Sequence, residues 1–214
     1  MSFLPVFNSL IFGLLLVSLF LWNIWILPLI VFLLIVSLVS FWFDLGLINL
    51  HYESAFWLFI LSEVMIFGSL FTCCFWFDTC SFLSLSSPLE IPFLGCFILL
   101  GSSITVTAFH HVMFWEWSWM LLLLTVLLGS SFVCLQLFEM NEIVVNILDS
   151  SFHASSFCVV GLHFSHVLLG VVGLSFILYL GSNLSGMYRC TLVTWYWHFV
   201  DYIWLFVYTF VYVC

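Results

Sequence analysis

Basic residues are almost missing from this chain. Lysine and arginine together number 1 in 214 residues, against 10 acids, and charged residues of both signs make up only 5%. Without a basic surface there is nothing to neutralise a phosphate backbone, so nucleic acid is excluded as a partner. With so little charge a globular domain has no solvated shell, so a soluble fold is excluded too. The strict alternation of apolar and polar residues that a membrane barrel requires is absent. No basic region precedes the first apolar run and no Arg-rich transit segment is visible, which is expected of a chain made inside the compartment whose membrane it enters. The 8 cysteines include no C-x-x-C pair. Most fall inside apolar runs, where cysteine serves as a small hydrophobe rather than as a metal ligand or half of a disulfide.

What is present is hydrocarbon. Hydrophobic residues account for 66% of the chain, 27 of them phenylalanine, and mean hydropathy is +1.36. Apolar runs of spanning length recur, and together they predict an all-α integral membrane protein occupying residues 1–214 as one domain. The runs place helices over about Phe3–Trp22, Ile26–Phe43, Ala55–Phe77, Phe93–Phe114, Met120–Phe138, Ser151–Leu180 and Thr191–Val213. Asn23 and Pro28 bracket the first turn, with Trp22 and Trp25 suited to an interface. A polar patch of Asp44, Asn49, His51 and Glu53 separates the first pair of helices (1–43) from the other five (55–214). The serine-rich stretch from Asp78 to Pro92 reads as a loop, and Gly181–Gly186 as a polar turn.

An odd number of spans puts the termini on opposite sides. Parity places Arg189 on the side of the N-terminus, and the positive-inside rule makes that side the cytoplasm or the mitochondrial matrix. The opposite face is then the acidic one, with Asp78, Glu90, Glu139, Glu142 and Asp149 expected at the surface.

Against this background a few ionisable residues stand inside the apolar runs. Glu63 lies about 12 Å into its helix, where a charged carboxylate costs a few kcal/mol unless it faces inward to a partner or a proton. His163 and His166 share one helical face, as do His198 and Asp201. His163 should sit about 20 Å deep, near the level of Glu63, and Asp201 about 15 Å in from the Arg189 side. Glu63, His163, His166, His198 and Asp201 therefore form a candidate buried polar cluster. It is either a proton path or ion site, or a set of hydrogen bonds that lock helices together. A proton- or ion-coupled transporter using Glu63, His163, His198 and Asp201 would carry an inverted repeat between its halves, and none is visible. His153 and His166 are spaced as haem ligands are, but no second helix offers the matching pair. A copper or zinc site from His163, His166 and Glu63 is chemically conceivable. Gly161, Gly170 and Gly173 are expected to allow close helix contact.

Four ordered stretches resemble subunit III of the haem-copper cytochrome c oxidases. They are Phe59-Ile-Leu-Ser-Glu63-Val, Pro88-Leu-Glu90-Ile-Pro92, the run from Gly161 to Gly170 with its two histidines, and Trp195-Tyr-Trp-His198-Phe-Val-Asp201 with Trp204-Leu-Phe following. Thr105, Ala108, His110 and His111 are similar to the family's fourth helix, and Leu135-Gln136 with Glu139 to the end of its fifth. The resemblance covers residues 42–212. It implies seven transmembrane helices in two groups, helices 1–2 and 3–7, splayed into a V with lipid in the cleft. It also implies a non-catalytic subunit with no metal ligands of its own, packed against the catalytic subunit I, whose assembly carries haem and copper and passes electrons from cytochrome c to oxygen while pumping protons. Structural phospholipids are implied as well, with Trp57, His51, His110, His111 and Arg189 as the residues left to hold them.

The chain departs from the family pattern in three places. The loop before the third helix is short and lacks basic residues, the acid expected before Trp195 is missing, with Thr191 nearby, and phosphate-binding cations are few. Near-loss of lysine with abundant Phe, Leu and Cys reads as a divergent copy encoded in the organelle, so the expected location is the mitochondrial inner membrane, multi-pass, with the N-terminus in the matrix.

Overall fold

The computed structural model describes residues 4–21, 24–47, 53–77 and 85–213, without the side chains at 19, 24, 42–47 and 183. Trp22, Asn49, His51 and Asp78, and the side chain of Asp44, lie outside the described residues. The fold is all-α. Seven helices are α1 (Leu4–Phe20), α2 (Leu27–Leu47), α3 (Glu53–Phe77), α4 (Ile91–His111), α5 (Ser118–Glu142), α6 (Ser151–Leu180) and α7 (Ser182–Val207). One 3-10 turn, Ile24–Ile26, leads into α2, and a wider π-helical segment, Tyr208–Val213, follows α7. Four of the helices, α3 to α6, are long and apolar enough to cross a membrane. The chain divides into two compact units, Met1–Tyr52 and Glu53–Cys214.

The first unit is the pair α1 and α2. Ile11 and Ile30 are buried, while Phe12, Phe20, Phe32 and most other large side chains point outward. Outward apolar faces are what hydrocarbon solvent favours. Ser37 on α2 donates to the Asn8 side chain on α1, a polar tie between two otherwise apolar helices.

The second unit holds α3 to α7. α4 packs on α5, α5 on α6, α6 on α7 and α7 back on α4, so four helices close a ring, with α3 laid against α6. Several hydroxyl groups on these helices are satisfied locally. Ser62, Ser69, Ser130, Ser165 and Ser175 each bond a carbonyl three or four residues back. Without water in the bilayer this is the least costly place for a serine proton.

Tryptophans of α7 fill the ring, seated on glycines of the neighbouring helices. Trp197 is fully buried. A Cβ on Gly129 of α5 would come within 2.7 Å of its ring, and one on Gly170 of α6 within 2.8 Å. Its indole N–H donates to Ser102 Oγ on α4 at 2.9 Å. Trp204, seven residues on and so on the same face, lies over Gly95 of α4 and edge-on to Phe132 of α5. Of the three α6 glycines expected to permit close approach, only Gly170 does so. Gly161 has open space beyond it, and Gly173 meets Val193 at an ordinary 3.7 Å. The tight contacts follow the faces turned toward α7, which also select Gly129 and Gly95.

Several helix ends differ from expectation, α2 for instance running on to Leu47 rather than Phe43. α4 begins at Ile91, so Pro92 sits in its first turn, where the missing N–H removes no bond. α5 runs on to Glu142, one turn beyond Phe138. α7 begins at Ser182 rather than Thr191. Gly181 and Gly186 have φ of 79° and 76°, values that a side chain opposes, and they frame a short helical turn before the main helix. The start of α6 matches expectation, with Ser150 accepting the His153 N–H at 3.0 Å as its cap.

Candidate functional site

The five ionisable residues expected in one cluster are divided among three helix contacts. The first joins α3, α6 and α7. His166 Nε2 lies 3.1 Å from Glu63 Oε2, with both side chains largely buried. The approach falls outside hydrogen-bond geometry, so it is a close polar contact rather than an aligned hydrogen bond. His166 Nδ1 is 2.8 Å from the Tyr196 hydroxyl, which also lies 3.3 Å from the His166 carbonyl. Phe67 covers the imidazole at 5.6 Å between ring centres. α3 runs antiparallel to α6, so Glu63, about 15 Å from the start of α3, meets His166, about 22 Å from the start of α6. Residues further along α3 meet earlier residues of α6, as Cys74 does with Ser155 and Ser156.

The second contact is the ring interior. His163 is 1% exposed. Its Nε2–H donates to the Val200 carbonyl of α7 at 3.2 Å. The ring lies 4.9 Å from Trp204 and edge-on to Phe132 at 5.8 Å. His163 thus acts as an aromatic core residue with one polar tether, and it turns away from Glu63.

The third contact joins α4 and α7. His198 Nδ1 is 2.8 Å from Ser103 Oγ, and Nε2 is 3.3 Å from Thr107 Oγ1. Asp201 is 2% exposed and lies beside the hydroxyls of Ser102 and Ser103. Among the described residues neither of its oxygens has a formed hydrogen bond. His198 and Asp201 therefore do not pair with each other. They flank Ser103, because residues three apart on α7 straddle one ridge of α4. The groups named for a transport path are spread over three contacts, Glu63 on the first, His163 on the second, and His198 and Asp201 on the third. Among the described residues no three of His, Cys, Asp and Glu converge as metal ligands. His153, one of the two histidines with haem-like spacing, has its Nδ1 2.7 Å from Ser150 Oγ at the helix cap.

Sequence reasoning placed Glu139 on the acidic surface. It is 1% exposed. Oε1 accepts from Ser86 Oγ at 2.7 Å and Oε2 from Gln136 Nε2 at 2.9 Å. The extension of α5 past Phe138 is the reason. It puts Glu139 on the inner face of the final turn, under the segment that enters α4. The Tyr208 hydroxyl donates to the Pro88 carbonyl of the same segment at 3.1 Å. Gln136, one helical turn before the acid, was the available signal. Glu90, Glu142 and Asp149 are exposed, as expected of them.

The candidate lipid contacts within the described residues gather at one end of the second unit. Trp57 of α3 is 5.2 Å from Trp195 of α7, with Phe56 at 6.1 Å from the same ring. At that end His110 Nε2 is 3.1 Å from Thr191 Oγ1, with His111 beside it. Arg189, at the start of α7, is exposed. Further along, α3, α7 and the π-helical segment border a cavity of about 510 Å³. Its walls include Phe67, Phe71, Phe75, Phe199, Phe206 and Phe210.

Residues 47–214 match the profile of one protein family, described as cytochrome c oxidase subunit III. The chain is 36% identical over 173 residues to cytochrome c oxidase subunit 3 of Rhipicephalus sanguineus, covering 72% of this chain and 67% of that one. It is 36% identical over 173 residues to the same subunit of Drosophila melanogaster, with 72% and 66% covered. Against that of Loxodonta africana it is 38% identical over 133 residues, with 59% and 51% covered. The matched region spans about two thirds of the length of the first two relatives.

Proposed function

From its membership of the cytochrome c oxidase subunit III family, to which the chain belongs, we propose that this protein is a core, non-catalytic subunit of the respiratory oxidase. In this reading it packs against the haem- and copper-bearing subunit I and stabilises it while electrons pass from cytochrome c to oxygen and protons are pumped. The observation that carries the reading is the use made of the buried ionisable side chains. Glu63 is spent on His166, His166 on Tyr196, and His163 on a backbone carbonyl. Such ties hold α3, α6 and α7 in register.

All seven helices span the mitochondrial inner membrane in this reading, with the N-terminus and Arg189 on the matrix side. Structural phospholipid accompanies the chain in this reading. Trp57, His110, His111 and Arg189, with His51, receive headgroups at the matrix end. An aromatic rim next to a few cations suits the interface, where rings sit at headgroup depth and cations meet phosphate. The cavity between α3 and α7 offers an acyl chain a wall of phenylalanine.

Purification through a tag on this chain tests the proposal. The expected product is a multi-subunit assembly whose visible spectrum shows haem and which oxidises cytochrome c. The chain stripped of its partners should show no haem absorbance. Recovery of this chain by itself, absent from any haem-bearing assembly, would defeat the proposal.

A further inference from the structure

We propose that the loop joining α4 to α5 is a membrane anchor, resting among lipid headgroups and fixing the depth of this end of the second unit. α4 has 21 residues, a length of about 31 Å. The hydrocarbon layer is about 30 Å thick, so with α4 across it residues 112–117 fall at its edge. Membrane proteins hold such an edge with lysine and arginine, whose charges reach for phosphate, and with tryptophan and tyrosine, whose rings sit at headgroup depth. This chain has 1 lysine or arginine in all, and 11 tryptophans. Trp115, Trp117 and Trp119 stand together in this one stretch. Tryptophan here takes the anchoring role that the missing cations leave open.

The loop holds its rings outward on a fastened backbone. Met113 and Ser118 turn inward and are buried, whereas Phe114, Trp115, Trp117 and Trp119 are 51% to 77% exposed. The Val112 N–H donates to the Ala108 carbonyl at 3.1 Å, and that of Trp115 to the Val112 carbonyl at 2.9 Å. The N–H groups of Ser118 and Met120 donate to the carbonyls of Trp115 and Trp117, each at 3.1 Å. The Met113 carbonyl accepts from Ser118 Oγ at 3.3 Å and from Ser182 Oγ at 3.2 Å. The second of these ties the turn before the main part of α7 to the loop, and Leu184 of that turn is exposed as well. Peptide groups paired in this way can leave bulk water at little cost.

Three other surroundings suit the loop less well. In water four large rings would stay hydrated, the arrangement the hydrophobic effect opposes. Deep in hydrocarbon the indole N–H groups would lose their partners, and so would Glu116, the only ionisable residue between 112 and 120. A protein partner covers one side of a turn, yet Phe114, Trp115, Glu116 and Trp117 are four consecutive exposed residues, and consecutive side chains of a turn point different ways. The headgroup layer meets every side at once. It takes the ring bodies against the upper acyl carbons, accepts the indole N–H on ester and phosphate oxygens, and leaves Glu116 to water.

Carbene footprinting of the full-length chain in lipid nanodiscs, with whatever subunits accompany it, reads the surroundings of the loop directly. One diazirine is carried on a phosphatidylcholine acyl chain close to the glycerol, the other is a small water-soluble compound, and modified residues are located by mass spectrometry. Trp115, Trp117 and Trp119 should take the lipid-borne label in preference to the soluble one, and the buried Trp197 should take neither. With Trp115→Asp and Trp117→Asp together, Trp119 should lose the lipid-borne label and gain the soluble one. With Trp115→Phe and Trp117→Phe it should keep the wild-type preference. The wild-type pattern decides even if a variant does not fold. Labelling of the three rings from water alone would overturn the proposal. Absence of both labels would overturn it too, since protein would then cover the loop, and so would an unchanged lipid-borne label in the aspartate variant. The readout needs only this chain in a bilayer, so its failure leaves the oxidase assignment untouched.

Discussion

The seating of Trp197 on glycine gives the sharpest quantitative expectation. A methyl group at Gly129 would lie 2.7 and 3.0 Å from two carbons of the Trp197 ring and 2.8 Å from Val171 Cγ2. A methyl group at Gly170 would lie 2.8 Å from two further ring carbons. The indole cannot swing away. It is wholly buried, its N–H is tied to Ser102, and α5 and α6 press on it from two sides. Overpacking of this kind costs about 1–3 kcal/mol per site. At about 1.4 kcal/mol per tenfold, that is a fall of roughly fivefold to 150-fold in the folding equilibrium. Gly129→Ala and Gly170→Ala should each show such a loss in a denaturing-detergent titration of the purified chain followed by tryptophan fluorescence. The double variant should cost at least the sum, since moving the ring away from one methyl group presses it toward the other. Gly161→Ala is the control. Nothing lies within 4 Å of its new methyl, so it should be neutral or gain up to about 1 kcal/mol from helix propensity. If Gly129→Ala proved as stable as Gly161→Ala, the account of the ring as built around Trp197 would be wrong.

Three further outcomes are expected. Glu139→Ala leaves Ser86 and Gln136 without their buried acceptor and should destabilise the chain by about 3 kcal/mol. Hydrogen exchange of the backbone amides at 85–90 should rise by more than that at α6, and equal protection in the variant would remove the role given to the acid. In the proposed role the pair of Glu63 with His166 serves packing, so Glu63→Gln should assemble and turn over normally in the purified oxidase; abolished oxygen consumption in an assembled complex would contradict this. Arg189→Ala combined with His110→Ala should lower the anionic phospholipid that co-purifies with the chain, measured by mass spectrometry after detergent exchange. An unchanged lipid content would remove the headgroup site from that end.

Much of the architecture was legible because it is set by local chemistry. Apolar runs of spanning length and the breaks between them depend on neighbouring residues alone, so α6 was located at Ser151–Leu180 and the polar turn at Gly181–Gly186 fell where two positive-φ glycines stand. The motif around Glu63, His166 and His198 already marked these residues as inward-facing. Their partners were another matter. Successive residues on a helix are about 100° apart, so a small rotation of one helix decides which neighbour a side chain meets. In a chain that is apolar all round no polar stripe announces that rotation.

Tertiary packing alone therefore decided that His163 and His166, one turn apart, both reach α7 while only His166 also meets Glu63 of α3. It also decided that His198 meets Ser103 and Thr107 of α4 rather than Asp201. Gly129, rather than Gly161, became the contact because α7 lays its tryptophan there. Glu139 looked like a surface acid because Asn141 and Glu142 follow it closely in the sequence. It is buried because the last turn of α5 is covered by Ser86, a residue far away in sequence. Composition sufficed to place this chain in a membrane, since solvent preference is a sum over residues. The assignment of each buried proton and each indole depended on distances between helices, and these exist only once the bundle has closed.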